Sequence, residues 1–184
     1  MSSSAGPSRL AVPVTELDHI RGPATAPVTL VEYGDYECPY CGRAHVVVEE
    51  VRRIAGDTLR FVFRNFPLSQ IHPHALLAAE AAEAAGAQGS FWEMHDRLFE
   101  HQDRLSERDL ILHAEALGLD VKRFAAELLE HVHAPRVRED FLGGVRSGVN
   151  GTPTFFVNGV RHDGGYDLET LLASIGVPAA QTRR

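Results

Sequence analysis

Two stretches of the chain decide its fold: Val28-Thr-Leu-Val-Glu-Tyr-Gly-Asp-Tyr-Glu-Cys-Pro-Tyr-Cys41 and Gly151-Thr-Pro-Thr-Phe-Phe-Val157. The first is rich in β-branched and aromatic residues over 28–33, which predicts a strand, and the chain then turns into a helix that begins near Cys38. Pro39 suits the first turn of that helix, because the N–H it lacks would be unpaired there anyway. The stretch therefore predicts a strand followed directly by a helix that carries both cysteines.

The chain between the two stretches is mostly helical in pattern. The first helix should end at Gly56, and residues 59–64 then alternate as a strand, which completes a β-α-β unit. Further helices are indicated by apolar spacing and by Ser106 and Asp120 as N-caps. These helices are predicted over residues 75–87, 91–101, 107–117, 121–131 and 135–147.

The second stretch opens a hairpin. Asn158-Gly159 joins two short apolar runs, 154–157 and 160–162, and an Asn-Gly pair in that setting is a strong hairpin signal. A last helix over 168–175 begins after Asp167, its expected N-cap. The sequence therefore predicts an α/β fold in which a mixed central sheet is flanked by helices, with a helical block inserted between a β-α-β half and a β-β-α half.

These elements divide the chain into four parts. Proline and glycine are frequent at the N-terminus, so we expect a tail there with a short edge strand at 10–14. The expected parts are the N-terminal tail (1–26), the α/β domain (27–72 and 149–176), the inserted helical subdomain (73–148) and a C-terminal tail (177–184).

The composition excludes several classes of function. The chain has 184 residues and a formal net charge of −7, from 18 Lys+Arg against 25 Asp+Glu. The acidic balance argues against nucleic acid, since phosphate binding needs clustered Lys and Arg. No run approaches the ~20 apolar residues of a membrane helix. Because residues 1–14 contain no signal-peptide core, we expect a cytoplasmic protein with no membrane partner.

The two cysteines, Cys38 and Cys41, are three residues apart at the start of the first predicted helix. A sulfur at a helix N-terminus faces unpaired N–H groups and the positive end of the helix dipole, which favours the thiolate. Cys38 is therefore predicted to be the attacking sulfur, and Cys41, deeper in the helix, the resolving thiol. A zinc site needs four ligands, and the only close imidazole is His45. A copper or zinc module built from the pair and His45 is the alternative, but we expect no metal and no cofactor.

A strand, a C-P-x-C motif at a helix start, a helical insertion and Thr-Pro before a hairpin resemble the thioredoxin-fold thiol-disulfide oxidoreductases of the DsbA type. The resemblance covers residues 27–175 and implies that Cys38 and Cys41 are the reactive pair. It also implies that Pro153 is a cis-proline that presents backbone to the substrate, and a proline just before a strand can hold the cis isomer in a tight turn. The expected catalytic residues are Cys38, Cys41, Pro153 and Glu32, and the expected substrate-binding residues are Pro39, Tyr40, Thr152 and Pro153.

Glu32 lies six residues before Cys38, a spacing at which this family often has an acidic residue. In a strand buried on both faces, the carboxyl would favour its protonated form and could take the proton of Cys41. At a strand edge it would face water instead. The sequence leaves both alternatives open.

Tyr40 departs from the strongly oxidising members of the family. Those members resemble C-P-H-C, whereas C-P-Y-C resembles the glutaredoxins, which are more reducing. Glu37 also places a negative charge next to Cys38. The thiolate is therefore expected to be less stabilised than in the strong oxidants.

The sequence thus predicts a thiol-disulfide oxidoreductase. Its partners would be protein or small-molecule disulfides and thiols, such as glutathione or a partner reductase. A kappa-class glutathione transferase-like enzyme is another alternative, since that class resembles this chain in fold but places a serine where Cys38 stands, and Cys41 argues against it. His72 and His74 are expected at the surface. The direction of electron flow, the physiological substrate, the recycling partner and the oligomeric state are not readable from the residues.

Overall fold

The computed structural model describes residues 8–178, which form five strands and seven α-helices. Each predicted helix and strand from residue 28 onward is present, with bounds that agree within two residues. The strands are β1 (His19–Arg21), β2 (Val28–Gly34), β3 (Leu59–Asn65), β4 (Thr154–Val157) and β5 (Val160–His162). The helices are α1 (Pro39–Ala55), α2 (Ala75–Gly86), α3 (Phe91–Glu100), α4 (Glu107–Ala116), α5 (Val121–Leu129), α6 (Ala134–Arg146) and α7 (Leu168–Ser174).

The strands form one mixed sheet in the order β1-β3-β2-β4-β5. β1 runs antiparallel to β3, and β4 runs antiparallel to both β2 and β5. The β4-β5 turn has positive φ at both central residues, 47° at Asn158 and 79° at Gly159, as the predicted Asn-Gly hairpin requires. β2 is the middle strand, so the segment that leads to the cysteines starts from the centre of the sheet.

The expected edge strand at 10–14 is wrong. Pro13 has no N–H to give to a ladder. The carbonyls of Val12 and Pro13 instead accept hydrogen bonds from the Arg64 guanidinium, at 2.9 Å and 3.0 Å. The edge strand comes later in the chain, as β1, and residues 8–26 are therefore not a simple tail.

The same guanidinium holds the chain just before β1. Arg64 Nε and Nη2 donate to the two carboxylate oxygens of Asp18, at 2.7 Å and 3.0 Å, and Nη1 donates to the Tyr33 hydroxyl at 3.0 Å. Only 3% of the Arg64 side chain and 5% of the Asp18 side chain are exposed. Burial opposes the charge, but Asp18 and Tyr33 outweigh it and hold the pKa of Arg64 above its usual value.

The described residues group into two compact units. The sheet unit contains residues 8–33, 43–64 and 143–178, and the helical unit contains residues 34–42 and 65–142. These bounds differ from the expected insertion at 73–148, because residues 34–42, with both cysteines, group with the helices. The hydrogen bonds of the cysteine segment, described below, explain that grouping.

The core of the sheet unit is built mainly from strand residues. Tyr33 and Phe156 meet edge to face, with ring centroids 6.0 Å apart. Such aromatic contacts add to the stabilisation from area burial. The strand residues buried in this core include Leu30, Val31, Tyr33, Phe61, Phe63, Phe155 and Phe156.

The helical unit is organised around α2, which contacts α3, α4 and α5. Most of α2 is buried alanine, and small side chains let neighbouring helices approach closely. The predicted caps are confirmed: Ser106 Oγ accepts from the Asp109 N–H at 3.3 Å, and Asp120 Oδ1 accepts from the Arg123 N–H at 3.0 Å. Among residues 8–178, no helix has the length and apolar content needed to cross a membrane.

Candidate active site

Cys38 and Cys41 lie where β2 has ended and α1 begins. Cys38 directly precedes the helix, and Cys41 is in its first turn. Both are thiols in the structure. Cys38 is 3% exposed and Cys41 is fully buried, so the order of burial is the one predicted for an attacking and a resolving cysteine. The Cys38 N–H donates to the Asp35 carbonyl at 3.1 Å, and the Cys38 carbonyl accepts from the Gly42 N–H at 3.1 Å.

Asp35 organises the loop before the helix. Its side chain is fully buried, and Oδ1 accepts from the Glu37 N–H at 2.8 Å. Oδ2 accepts from the Leu68 N–H and from His72 Nδ1, both at 2.8 Å. The backbone N–H of the same residue donates to Cys41 Sγ at 3.4 Å. One residue thus links the Cys41 sulfur to a histidine 37 positions after Asp35 in the sequence.

Gln102 holds the loop from another direction. Its Nε2 donates to the carbonyls of Tyr36 and Cys38, at 2.7 Å and 2.9 Å. A Cβ added at Gly42 would overlap Gln102 Oε1. Glycine at position 42 therefore makes room for the side chain that binds the carbonyl of Cys38.

Glu37 does not act as an isolated charge beside Cys38. One carboxylate oxygen accepts from the His74 N–H at 2.6 Å, and the other lies 2.8 Å from His74 Nδ1. From the sequence, Glu37 was expected to place a negative charge next to Cys38. The structure turns it toward His74, which is half exposed.

Tyr36 anchors the loop in the core of the helical unit. It is 1% exposed, and its hydroxyl lies 3.0 Å from His95 Nδ1. Its ring packs against Phe99, with centroids 4.8 Å apart. Aromatic burial and polar pairing together fix the residue two positions before Cys38.

Pro39 and Tyr40 are both exposed, and 55% of Tyr40 is accessible. They lie between two buried sulfurs. The exposed surface of the Cys38–Cys41 motif is therefore formed by these two residues.

The remaining predicted residues lie in the sheet unit. Glu32 is 2% exposed on the central strand and lies opposite Phe155 of β4. Of the two alternatives for Glu32, the structure therefore has the buried one. The Thr152–Pro153 peptide bond, just before β4, is cis, which is the isomer that the resemblance implies. The structure thus brings Cys38, Pro39, Tyr40 and Cys41 together in the helical unit, and it places Glu32, Thr152 and Pro153 on neighbouring segments of the sheet unit.

Sequence reasoning missed several residues that hold the cysteine loop, among them Asp35, Tyr36, His72, His74 and Gln102. His72 was expected at the surface, yet only 16% of its side chain is exposed. The expected surface position fits His74 better, because half of its side chain is exposed, although His74 is paired with Glu37. An available signal was the position of Asp35, three residues before Cys38 at a helix start, where Asp often binds backbone N–H groups.

A mixed sheet with a dithiol in the first turn of the helix after its central strand defines a thioredoxin-fold protein. A family model described as thioredoxin matches residues 14–176, and the chain belongs to that family. The match confirms the fold that the two sequence motifs predicted.

Solved structures support the same conclusion. BdbD of Bacillus subtilis is 26% identical with a TM-score of 0.78, over 85% of this chain and 90% of that one. A thioredoxin-like oxidoreductase of Silicibacter pomeroyi is 28% identical with a TM-score of 0.74, over 86% and 90%. The alpha-DsbA1 of Wolbachia pipientis, at 23% identity and a TM-score of 0.76 over 91% and 92%, shows the fold alone. These neighbours confirm the resemblance to the DsbA type.

The curated relatives are much longer proteins. The Na(+)/H(+) antiporter NhaA 1 of Salinispora arenicola is 52% identical over 181 residues, which are 98% of this chain and 28% of that protein. The NhaA 3 antiporter of Salinispora tropica is 49% identical over 100% of this chain and again 28% of that protein. The chain thus spans little more than a quarter of the length of the curated relatives it matches.

Proposed function

We propose that the chain exchanges disulfides through Cys38 and Cys41. The observation that carries this proposal is the pair itself: Cys38 precedes the first turn of α1, and Cys41 accepts a backbone N–H bond inside that turn. Donors aimed at sulfur and the positive end of a helix dipole both stabilise thiolates. The structural neighbours include a thioredoxin-like oxidoreductase, which supports the same chemistry.

The exchange proceeds in two balanced steps. The Cys38 thiolate attacks one sulfur of a substrate disulfide, which forms a mixed disulfide and releases the other substrate sulfur as a thiolate that takes up a proton. The Cys41 thiolate then attacks Cys38 Sγ, which forms the Cys38–Cys41 disulfide and releases the second substrate sulfur as a thiolate that also takes up a proton. Two electrons pass from the protein dithiol to the substrate, and the reverse sequence oxidises a substrate dithiol.

Several side chains complete the proposed chemistry. Pro39 and Tyr40 supply exposed surface for the substrate, and Pro153 with Thr152 presents backbone to it, as the resemblance implies. Buried Glu32 accepts the proton that Cys41 loses before it attacks. This chemistry needs no cofactor, because both electrons stay on sulfur.

The proposed partners are protein or small-molecule disulfides and thiols, with glutathione as the small-molecule candidate, and the proposed compartment is the cytoplasm. The Cys41→Ser variant should trap the substrate as a mixed disulfide on Cys38, because no resolving thiol remains. The mass of the trapped adduct then shows whether the substrate is a protein or a small molecule such as glutathione.

The decisive experiment is a glutathione redox series in which the oxidised fraction of Cys38–Cys41 is quantified by alkylation and mass. A midpoint near or below about −230 mV would indicate a reductant or glutaredoxin-like exchanger, and one above about −150 mV an oxidant.

Cys38→Ser should abolish exchange, with Cys41→Ser as its matched control that still forms the mixed disulfide. Exchange retained by Cys38→Ser would overturn the proposal. Glutathione conjugation by that variant would favour the transferase alternative, and metal bound after reducing purification would favour the metal module.

A further inference from the structure

We infer that Asp35 and His72 form a positioning pair that controls how readily Cys41 departs and attacks as a thiolate. The inference rests on the proposed function and adds two residues to its site. Asp35 and His72 would act through backbone and sulfur, without touching the substrate.

The side chain of Asp35 is one of the contacts that hold the backbone at residue 35. Asp35 lies between the end of β2 and the start of α1. The peptide group before it is held by a hydrogen bond from the Phe66 N–H to the Gly34 carbonyl at 2.7 Å, and its own carbonyl accepts from the Cys38 N–H at 3.1 Å. Its carboxylate accepts hydrogen bonds from the backbone N–H groups of Glu37 and Leu68 and from the His72 ring, each at 2.8 Å. A carboxylate is acceptor only, so His72 Nδ1 donates. These bonds add to the backbone contacts in holding the orientation in which the Asp35 N–H meets Cys41 Sγ at 3.4 Å.

Cys41 carries negative charge in both directions of exchange. It attacks as a thiolate when the mixed disulfide is resolved, and it departs as a thiolate when the Cys38–Cys41 disulfide is opened at Cys38. A hydrogen bond to the sulfur stabilises that charge, and a more stable thiolate is a better leaving group. Loss of the Asp35 orientation should therefore slow the opening step.

A second effect of Asp35 has the opposite sign. Its buried carboxylate is a negative charge near Cys41, and like charges disfavour the thiolate. Since three N–H donors already bind that carboxylate, we assign the larger effect to positioning. Asp35→Asn separates the two effects, because it removes the charge and turns one acceptor oxygen into a donor that faces the Leu68 N–H. Positioning predicts slower opening in this variant, and charge repulsion predicts faster opening.

The chain offers a matched control for His72. His133 lies in the same unit and binds a carboxylate in the same way, with Nε2 2.8 Å from Glu127 Oε2 and 16% of its side chain exposed, as for His72. None of the hydrogen bonds described for the cysteine loop involves His133. His133→Ala therefore reports the cost of losing such a pair away from the thiols.

The experiment mixes fully oxidised protein with reduced glutathione and follows the release of Cys41 by quenched alkylation and mass. We expect His72→Ala to slow release about tenfold, which is about 1.4 kcal/mol in the barrier. His72→Asn should recover most of the rate, because Asn Nδ2 is as many bonds from Cα as His Nδ1 and also donates. His133→Ala should match the wild type. Loss of stability alone would not produce this pattern on folded protein.

Several results would overturn the inference. Release at the wild-type rate in His72→Ala, no recovery in His72→Asn, equal slowing in His133→Ala, or faster release in Asp35→Asn would each reject it. If Asp35→Asn fails to fold, the His72 series still decides. Wild-type protein that does not react with glutathione or with a disulfide peptide would instead reject the proposed function, and the inference with it.

Discussion

Arg64→Met should lower the free energy of unfolding by about 3–5 kcal/mol, the usual cost of removing one member of a buried ion pair. Methionine keeps part of the apolar stem of arginine but removes the guanidinium. The nearly buried Asp18 carboxylate would then lose its bidentate partner, and the carbonyls of Val12 and Pro13 and the Tyr33 hydroxyl would each lose a donor. Residues 12–18 should detach first, because the guanidinium binds this part of the chain and the backbone pairing of the N-terminal segment with β5 ends at Leu10.

A double variant tests whether the uncompensated charge causes the loss. Asp18→Leu combined with Arg64→Met should be more stable than Arg64→Met alone, because replacing both members of a buried pair removes the unpaired charge. The difference between the double variant and the sum of the single variants gives the coupling energy directly.

Urea unfolding at neutral pH measures the effect, and thermal unfolding should show a shift on the order of 10 °C for a chain of this size. Arg53→Met is the matched control, since Arg53 makes a comparable bidentate pair with Glu50 at the surface. Surface pairs contribute little. A loss in Arg64→Met no larger than that in Arg53→Met would refute the reasoning.

Three other predictions concern different parts of the molecule. Glu32→Gln should slow release of the mixed disulfide, because the buried proton acceptor is lost; unchanged single-turnover kinetics would contradict that role. Burial, with the Arg97 cation, holds the pKa of His113 below its usual 6.5. The unfolded chain therefore binds this proton more readily, and stability should fall as the pH drops below 6.5. Urea unfolding against pH should show this slope, and His113→Gln should reduce it. Asp120→Ala removes the cap of α5 and should cost about 1 kcal/mol, measured by urea unfolding; a change within error would mean that the cap contributes nothing.

Local signals predicted most of the fold. Apolar spacing and the caps at Ser106, Asp120 and Asp167 placed the helices, since a cap bonds to a backbone N–H three residues later. Asn158-Gly159 placed the hairpin for a similar reason, because both residues tolerate positive φ. Each of these features depends on a few consecutive residues.

The features that the sequence did not predict depend on distant partners. The edge strand was misplaced because Arg64 captures carbonyls about 50 residues earlier in the chain. His72 was expected at the surface because its partner, Asp35, is 37 residues away. The burial of Glu32 could not be decided until the order of strands put β2 in the middle of the sheet.

The contact between Gly42 and Gln102 limits how the cysteine motif could be engineered. Grafting Cys38-Pro-Tyr-Cys41 onto another helix would transfer the sulfurs but leave behind the amide that binds the carbonyls of Tyr36 and Cys38. A donor at position 102 requires glycine at position 42. A side chain added at position 42 alone would clash with Gln102, and a shorter residue at position 102 alone would leave a gap beside Gly42. The unit that could be transferred is therefore the loop together with Gln102 and Gly42. Fewer helices can accept the motif than its four residues alone suggest.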